Sequence, residues 1–176
     1  MNLYKALCLS VLIAGSWSSS AIAADRWEAQ GRASTGEKVY LNLDSIQIDR
    51  RSLGFETPPG YFFTYQIGRD RPQAFTPCDG RFQVGIDGVF QSLITPQSQA
   101  TRKMLERVCS YHRKSALVFA PPSNVRVVPN GNILCSVNRK QKVMTYGLLQ
   151  YDDEANWLYT DVCGKLGVIH TSQIRF

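Results

Sequence analysis

The chain has 176 residues, a formal net charge of +6 and five cysteines. Acids are interspersed with the bases, and Arg50-Arg51 and Arg139-Lys140 are short clusters rather than tails. This excludes the polybasic pattern of a nucleic-acid-binding tail and leaves only a mild attraction to anionic surfaces.

Residues 1–23 read as a secretory signal peptide. Lys5 starts it, Ala6 to Gly15 form a short apolar stretch, and Ala21-Ile22-Ala23 offers small residues for cleavage. The apolar run falls short of the roughly 20 residues of a spanning helix. No later stretch is apolar enough to span, so no stable membrane insertion is expected once the leader is gone. Cleavage removes Cys8 and leaves Cys78, Cys109, Cys135 and Cys163. Four cysteines allow three pairings, and the simplest is one bridge per region, Cys78–Cys109 and Cys135–Cys163. An exported chain meets an oxidising compartment where such bridges persist, so a periplasmic or extracellular location is expected. Each bridge closes a loop of about 30 residues, worth about 3–4 kcal/mol by chain entropy.

The next region, residues 24–119, reads as an antiparallel meander with one packed helix. Trp27 to Gly31 and Val39 to Leu43 are strand candidates around a Ser34 to Glu37 turn, and another turn is expected near Asp49 to Leu53. Tyr61 to Ile67, aromatic and β-branched, carries the strongest strand signal. Asp79-Gly80 and Asp87-Gly88 are hairpin-type turns. A helix is expected over Ser98 to Tyr111, with Thr95 as cap and Pro96 in the first position. Ala100, Met104, Val108 and Tyr111 recur at helical spacing and face the core; Arg102, Lys103, Glu106 and Arg107 lie outward.

Phe119-Ala120-Pro121-Pro122 reads as a stiff junction. Beyond it, residues 120–176 hold short strand candidates at Asn124 to Val128, Ile133 to Val137, Lys142 to Leu149, Trp157 to Thr160 and Val168 to His170. Five short strands in so short a segment fit a small β-barrel. The expected fold class is therefore mainly β, an α+β meander followed by an SH3-like barrel.

Asn124-Val125-Arg126, Pro129 and Gly131, Trp157, and Gly167-Val168-Ile169 carry a resemblance to the bacterial SH3 domain family, which commonly has tryptophan at the position of Val168. That resemblance implies an envelope or cell-wall target. Trp27, Val39 to Ile46, the Tyr61 to Tyr65 strand and Cys78 before Arg81 resemble, more loosely, the surface-adhesin protein E family. The combination also resembles small exported cyanobacterial proteins. These likenesses imply a surface or envelope role and name no ligand.

The residues offer little catalytic chemistry. There is no Gly-x-Ser-x-Gly elbow and no metal-ligand spacing beyond the lone Cys109/His112 pair, so neither a cofactor nor a metal is expected. Cys109/His112 and Cys163/His170 resemble thiol–base pairs, but the cysteines are better used in bridges. Asp152-Asp153-Glu154 reads as a solvated turn. The binding candidates are Tyr146, Tyr151, Trp157 and Tyr159, either a groove for sugars or peptides or mainly core. Arg126 either joins that groove or braces a turn. The reading is a non-enzymatic module for an envelope polymer, peptidoglycan or another glycan, or an envelope protein. The alternatives are an interaction protein acting through the inter-domain surface and the basic helix, and an enzyme or enzyme inhibitor.

Overall fold

The computed structural model describes residues 25–55, 59–149 and 156–176. The leader, Tyr151 and the Asp152 to Glu154 turn lie outside the described residues. Within the described residues the chain is mainly β, with two antiparallel sheets and one α-helix.

The first sheet is a six-stranded meander in sequence order. It comprises β1 (Trp27–Arg32), β2 (Lys38–Ile48), β3 (Tyr61–Ile67), β4 (Gln73–Thr76), β5 (Gln83–Ile86) and β6 (Val89–Phe90). Alternation along β3 puts Tyr61, Phe63 and Tyr65 on one face. There they join Val39, Leu41 and Ala74 in a core closed by α1 (Gln99–Tyr111) through Ala100, Met104, Leu105 and Val108. The Asp87-Gly88 turn joins β5 to β6 with positive φ at both residues, as the tight hairpin requires.

The helix begins one turn later than its Pro96 signal suggests. Ser98, not Thr95, is the N-cap; its hydroxyl accepts from the Thr101 backbone N–H while Thr101 Oγ1 accepts from Ser98 N. This reciprocal cap satisfies two end donors. The outward residues Arg102, Lys103 and Glu106 are exposed, whereas Arg107 turns to Glu28 of β1 at 3.1 Å. At the other end, Cys109 is bridged to Cys78 in the turn between β4 and β5, with Cα atoms 5.8 Å apart.

The second sheet has seven strands rather than five. They are β7 (Lys114–Val118), β8 (Ser123–Arg126), β9 (Ile133–Val137), β10 (Gln141–Leu148), β11 (Trp157–Thr160), β12 (Gly167–His170) and β13 (Ile174–Arg175). The order is β13-β7-β10-β11-β12-β8-β9. Lys114 to Val118 pairs residue for residue with β10, so the second sheet begins ahead of the Phe119-Ala120-Pro121-Pro122 junction. Pro121-Pro122, joined by a cis peptide bond, lies between β7 and β8 within this sheet. Val137 of β9 and Ile174 of β13 stand at opposite ends of the strand order yet share one core cluster with Val125, Val143, Leu158 and Ile169. The sheet therefore curls around its own core, which the Cys135–Cys163 bridge borders.

Gly167 shows how tightly β12 packs. A Cβ built there would sit 2.8 Å from the Arg126 carbonyl oxygen and 2.6 Å from a Leu134 methyl. The carbonyl belongs to a neighbouring backbone and cannot swing away. Gly167→Ala is expected to cost about 1–3 kcal/mol as overpacking, measured as a lower urea midpoint than wild type.

Candidate cleft between the two sheets

The two sheets meet over an aromatic junction. In β11 all four residues are buried, because both faces of the strand are covered. Leu158 points into the curled sheet. Trp157 and Tyr159 point the other way, into a cluster with Tyr146, Leu149, Leu166 and Val168 that packs on Ile48 and Leu53 of the first unit. A hydrogen bond from Gly54 N to the Leu166 carbonyl, 2.6 Å, crosses the same junction.

This placement decides the fate of the expected aromatic groove. Tyr146, Trp157 and Tyr159 retain 4%, 6% and 1% of their surface. They come together, but as core between the sheets rather than as an open binding face. Tyr151 lies outside the described residues. Val168 has no exposed surface and sits in the same cluster. Arg126 braces the turn after β8: its Nη1 donates to the Gly131 carbonyl at 2.6 Å. The four cysteines are all bridged, so neither Cys109 nor Cys163 carries a free thiol. His170 caps the short 3-10 helix that follows it, its Nδ1 accepting from Ser172 N at 3.2 Å, with its ring edge-on to Trp157.

What the junction leaves open is a cleft of about 370 Å³ at its edge. One wall is the end of β2, with Asp44, Ile46, Gln47 and Ile48; the other is Tyr146, Gly147 and Leu148 of β10 with Tyr159. Tyr111 and His112, where α1 ends, form the back, and Arg50 stands at one side. A second cleft, about 490 Å³, shares Tyr111, His112, Gly147 and Leu148 with the first and extends toward Thr171 and Phe176. Both are lined by the His112–Gly147 contact.

That contact explains Gly147. Its φ is +109°, and a Cβ would lie 3.2 Å from the His112 ring carbon Cγ. Glycine both permits this backbone and lets the strand touch the imidazole. The β10–β11 register shifts between Thr145 and Leu148, so the wall bulges here.

Polar groups in the cleft are held from several sides. His112 Nε2 donates to the Ile46 carbonyl at 3.1 Å, tying α1 to β2 and turning Nδ1 toward Gly147. Arg26 pairs with Asp44 at 2.6 Å and donates to the Tyr111 hydroxyl at 2.8 Å. Hydrogen bonding from that guanidinium holds the Asp44 carboxyl below its ordinary range. The Tyr146 hydroxyl donates to Asp161 Oδ2 at 2.5 Å; burial first, and then the carboxylate, keep it protonated far above neutral pH. Burial pushes the Tyr159 hydroxyl up to about 12, against the opposing pull of Arg50.

The first cleft thus offers phenol, imidazole, amide, carboxylate and guanidinium groups along aliphatic walls. No serine, threonine or cysteine lines it among the described residues, and no cluster of metal-ligating side chains occurs among them. Tyr146 and Tyr159 were legible as candidates. Arg26, Asp44, Arg50, Gly147 and Leu148 were not, because no local motif links groups brought together by the docking of two sheets. The bridges fit an oxidising, non-cytoplasmic compartment, and no described helix is long and apolar enough to cross a membrane. No family model, curated protein or solved structure matches the chain.

Proposed function

We propose that the mature chain is an exported, non-enzymatic binding module that holds a cell-envelope polymer or protein in the cleft between its two sheets. One observation carries the reading: the cleft presents hydrogen-bonding groups on aliphatic and aromatic walls drawn from both sheets. Such a lining suits a polar chain segment, sugar or peptide, whose hydroxyls or amides replace water at the tyrosine, histidine and glutamine groups. Its walls are braced by the His112–Ile46 bond and the shared junction core, so little ordering accompanies binding. The N-terminal leader expected over residues 1–23 and the two bridges support a periplasmic or extracellular site of action.

The test is co-sedimentation of the mature chain with isolated cell envelope. Leu148 is 51% exposed and lines both clefts. Leu148→Glu puts a charge at their shared wall at little cost to folding. Wild type is expected to be retained, and the variant to lose about tenfold in affinity, equivalent to roughly 1.4 kcal/mol, with an unchanged melting temperature. Equal retention of the two proteins rejects the cleft as the site.

A further inference from the structure

The core-facing side of the first sheet is closed by α1, and strand register reveals what stands on the other side. Opposed residues share a face. Gln47 lies opposite Phe62 and Asn42 opposite Thr64. Phe62 in turn lies opposite Phe75, and Thr64 opposite Gln73. Phe75 lies opposite Gln83 and Gly85 opposite Phe90. At the β1 end, Trp27 faces Asn42 and Ala29 faces Tyr40, itself opposite Gln66.

Five aromatic side chains, Trp27, Tyr40, Phe62, Phe75 and Phe90, therefore share the outer face, and each is only partly buried. Phe62 is the centre of a trio, with ring centroids 5.0 Å from Phe75 and 5.5 Å from Phe90. The glutamines at 47, 66, 73 and 83 are interleaved with the rings. Two guanidiniums lie on this surface: Arg51 is 5.6 Å from the Phe62 centroid, and Arg71 is 5.2 Å from that of Trp27. Arg71 also donates to Gln66 Oε1 at 3.1 Å. Among the residues that register places on this face there is no carboxylate. The Asp49 carboxylate that Arg51 touches at 3.0 Å belongs to a buried residue at the edge.

The geometry points to a second binding surface, whose occupant is an acidic polysaccharide. Flat aromatic rings stack against the C–H faces of sugar rings, and interleaved amides exchange hydrogen bonds with hydroxyls. A purely apolar partner would leave those amides unpaired, which is costly. The charge argument selects among glycans: register places no carboxylate on this face, the Arg71 guanidinium stands over Trp27 while Arg51 is already held by Asp49, and the chain carries a net charge of +6. A sugar carboxylate pairs with the Arg71 guanidinium while the sugar rings stack on the aromatic side chains. This inference rests on the envelope-binding reading only for the ligand being an envelope polymer, since it uses a different surface.

The experiment titrates the mature chain with polygalacturonate, with dextran as the neutral control, by isothermal calorimetry. Polygalacturonate is expected to bind and dextran not to. Phe90→Ala, on a two-residue edge strand, and Arg71→Gln are each expected to weaken binding about tenfold. Leu148→Glu is expected to leave it unchanged, which separates this surface from the cleft. Loss with Phe90→Ala excludes simple attraction of a polyanion to a basic protein, because that change alters no charge. The inference is overturned by absent polygalacturonate binding, by equal dextran binding, or by unchanged affinity in Phe90→Ala. A self-association in sedimentation equilibrium that Phe90→Ala abolishes overturns it too, by showing that a second copy covers the face.

Discussion

Trp157→Ala is expected to destabilise the protein by about 3–5 kcal/mol, the usual cost of truncating a large buried aromatic residue. Trp157 keeps only 6% of its surface. It packs among Leu149, Leu166 and Val168 where the two sheets meet, with His170 edge-on at 5.1 Å. Truncation leaves a cavity that strands held by ladders on both sides cannot close. For a chain of this size the melting temperature should fall on the order of 10 °C, measured by calorimetry on the mature chain. Loss of envelope retention in this variant would follow from loss of structure and says nothing of a direct contact. A shift below about 1 kcal/mol would place the indole at a surface.

Removing the Cys135–Cys163 bridge as a double serine variant should cost about 2–5 kcal/mol. The bridge spans 28 residues and ties β9, the last strand in its sheet, to the turn after β11. Both sulfurs border the curled sheet's core, so the variant also places two hydroxyls against Val137 and its neighbours. Urea unfolding of the oxidised wild type and the variant measures the loss. The expected signature is a lower midpoint; an unchanged one would mean that β9 is held by its pairing with β8 alone.

Much of the architecture was legible in local pattern. Tyr61 to Ile67 is a strand, the helix expected over Ser98 to Tyr111 runs Gln99–Tyr111 with the expected apolar stripe, and the cysteines pair one bridge per region. What escaped were features set by distant partners. Lys114 to Val118 follows the helix after only His112 and Arg113, and nothing in its five residues says that it pairs with β10 rather than β3. Trp157-Leu158-Tyr159-Thr160 has no polar alternation because both faces are covered; the same aromatics would suit an exposed groove, and only docking of the sheets separates the two. Arg126 posed a choice between groove and brace, and its Nη1 bonds the Gly131 carbonyl. The outer aromatic face was not read from the sequence: in β3 only Phe62 departs from the polar Thr64 and Gln66 on that side, and its ring partners Phe75 and Phe90 come from other strands.

Hydroxyl-radical footprinting of the mature chain, with and without solubilised envelope extract, tests most directly whether the cleft is the binding site. Tyr111 and His112 are partly exposed, and Leu148 is half-exposed, so all three react in the free protein. The account predicts that extract retained by the protein protects these three together, while buried Trp157 and Tyr159 stay unreactive in both states. Unchanged oxidation of Tyr111, His112 and Leu148 in the bound protein would contradict it.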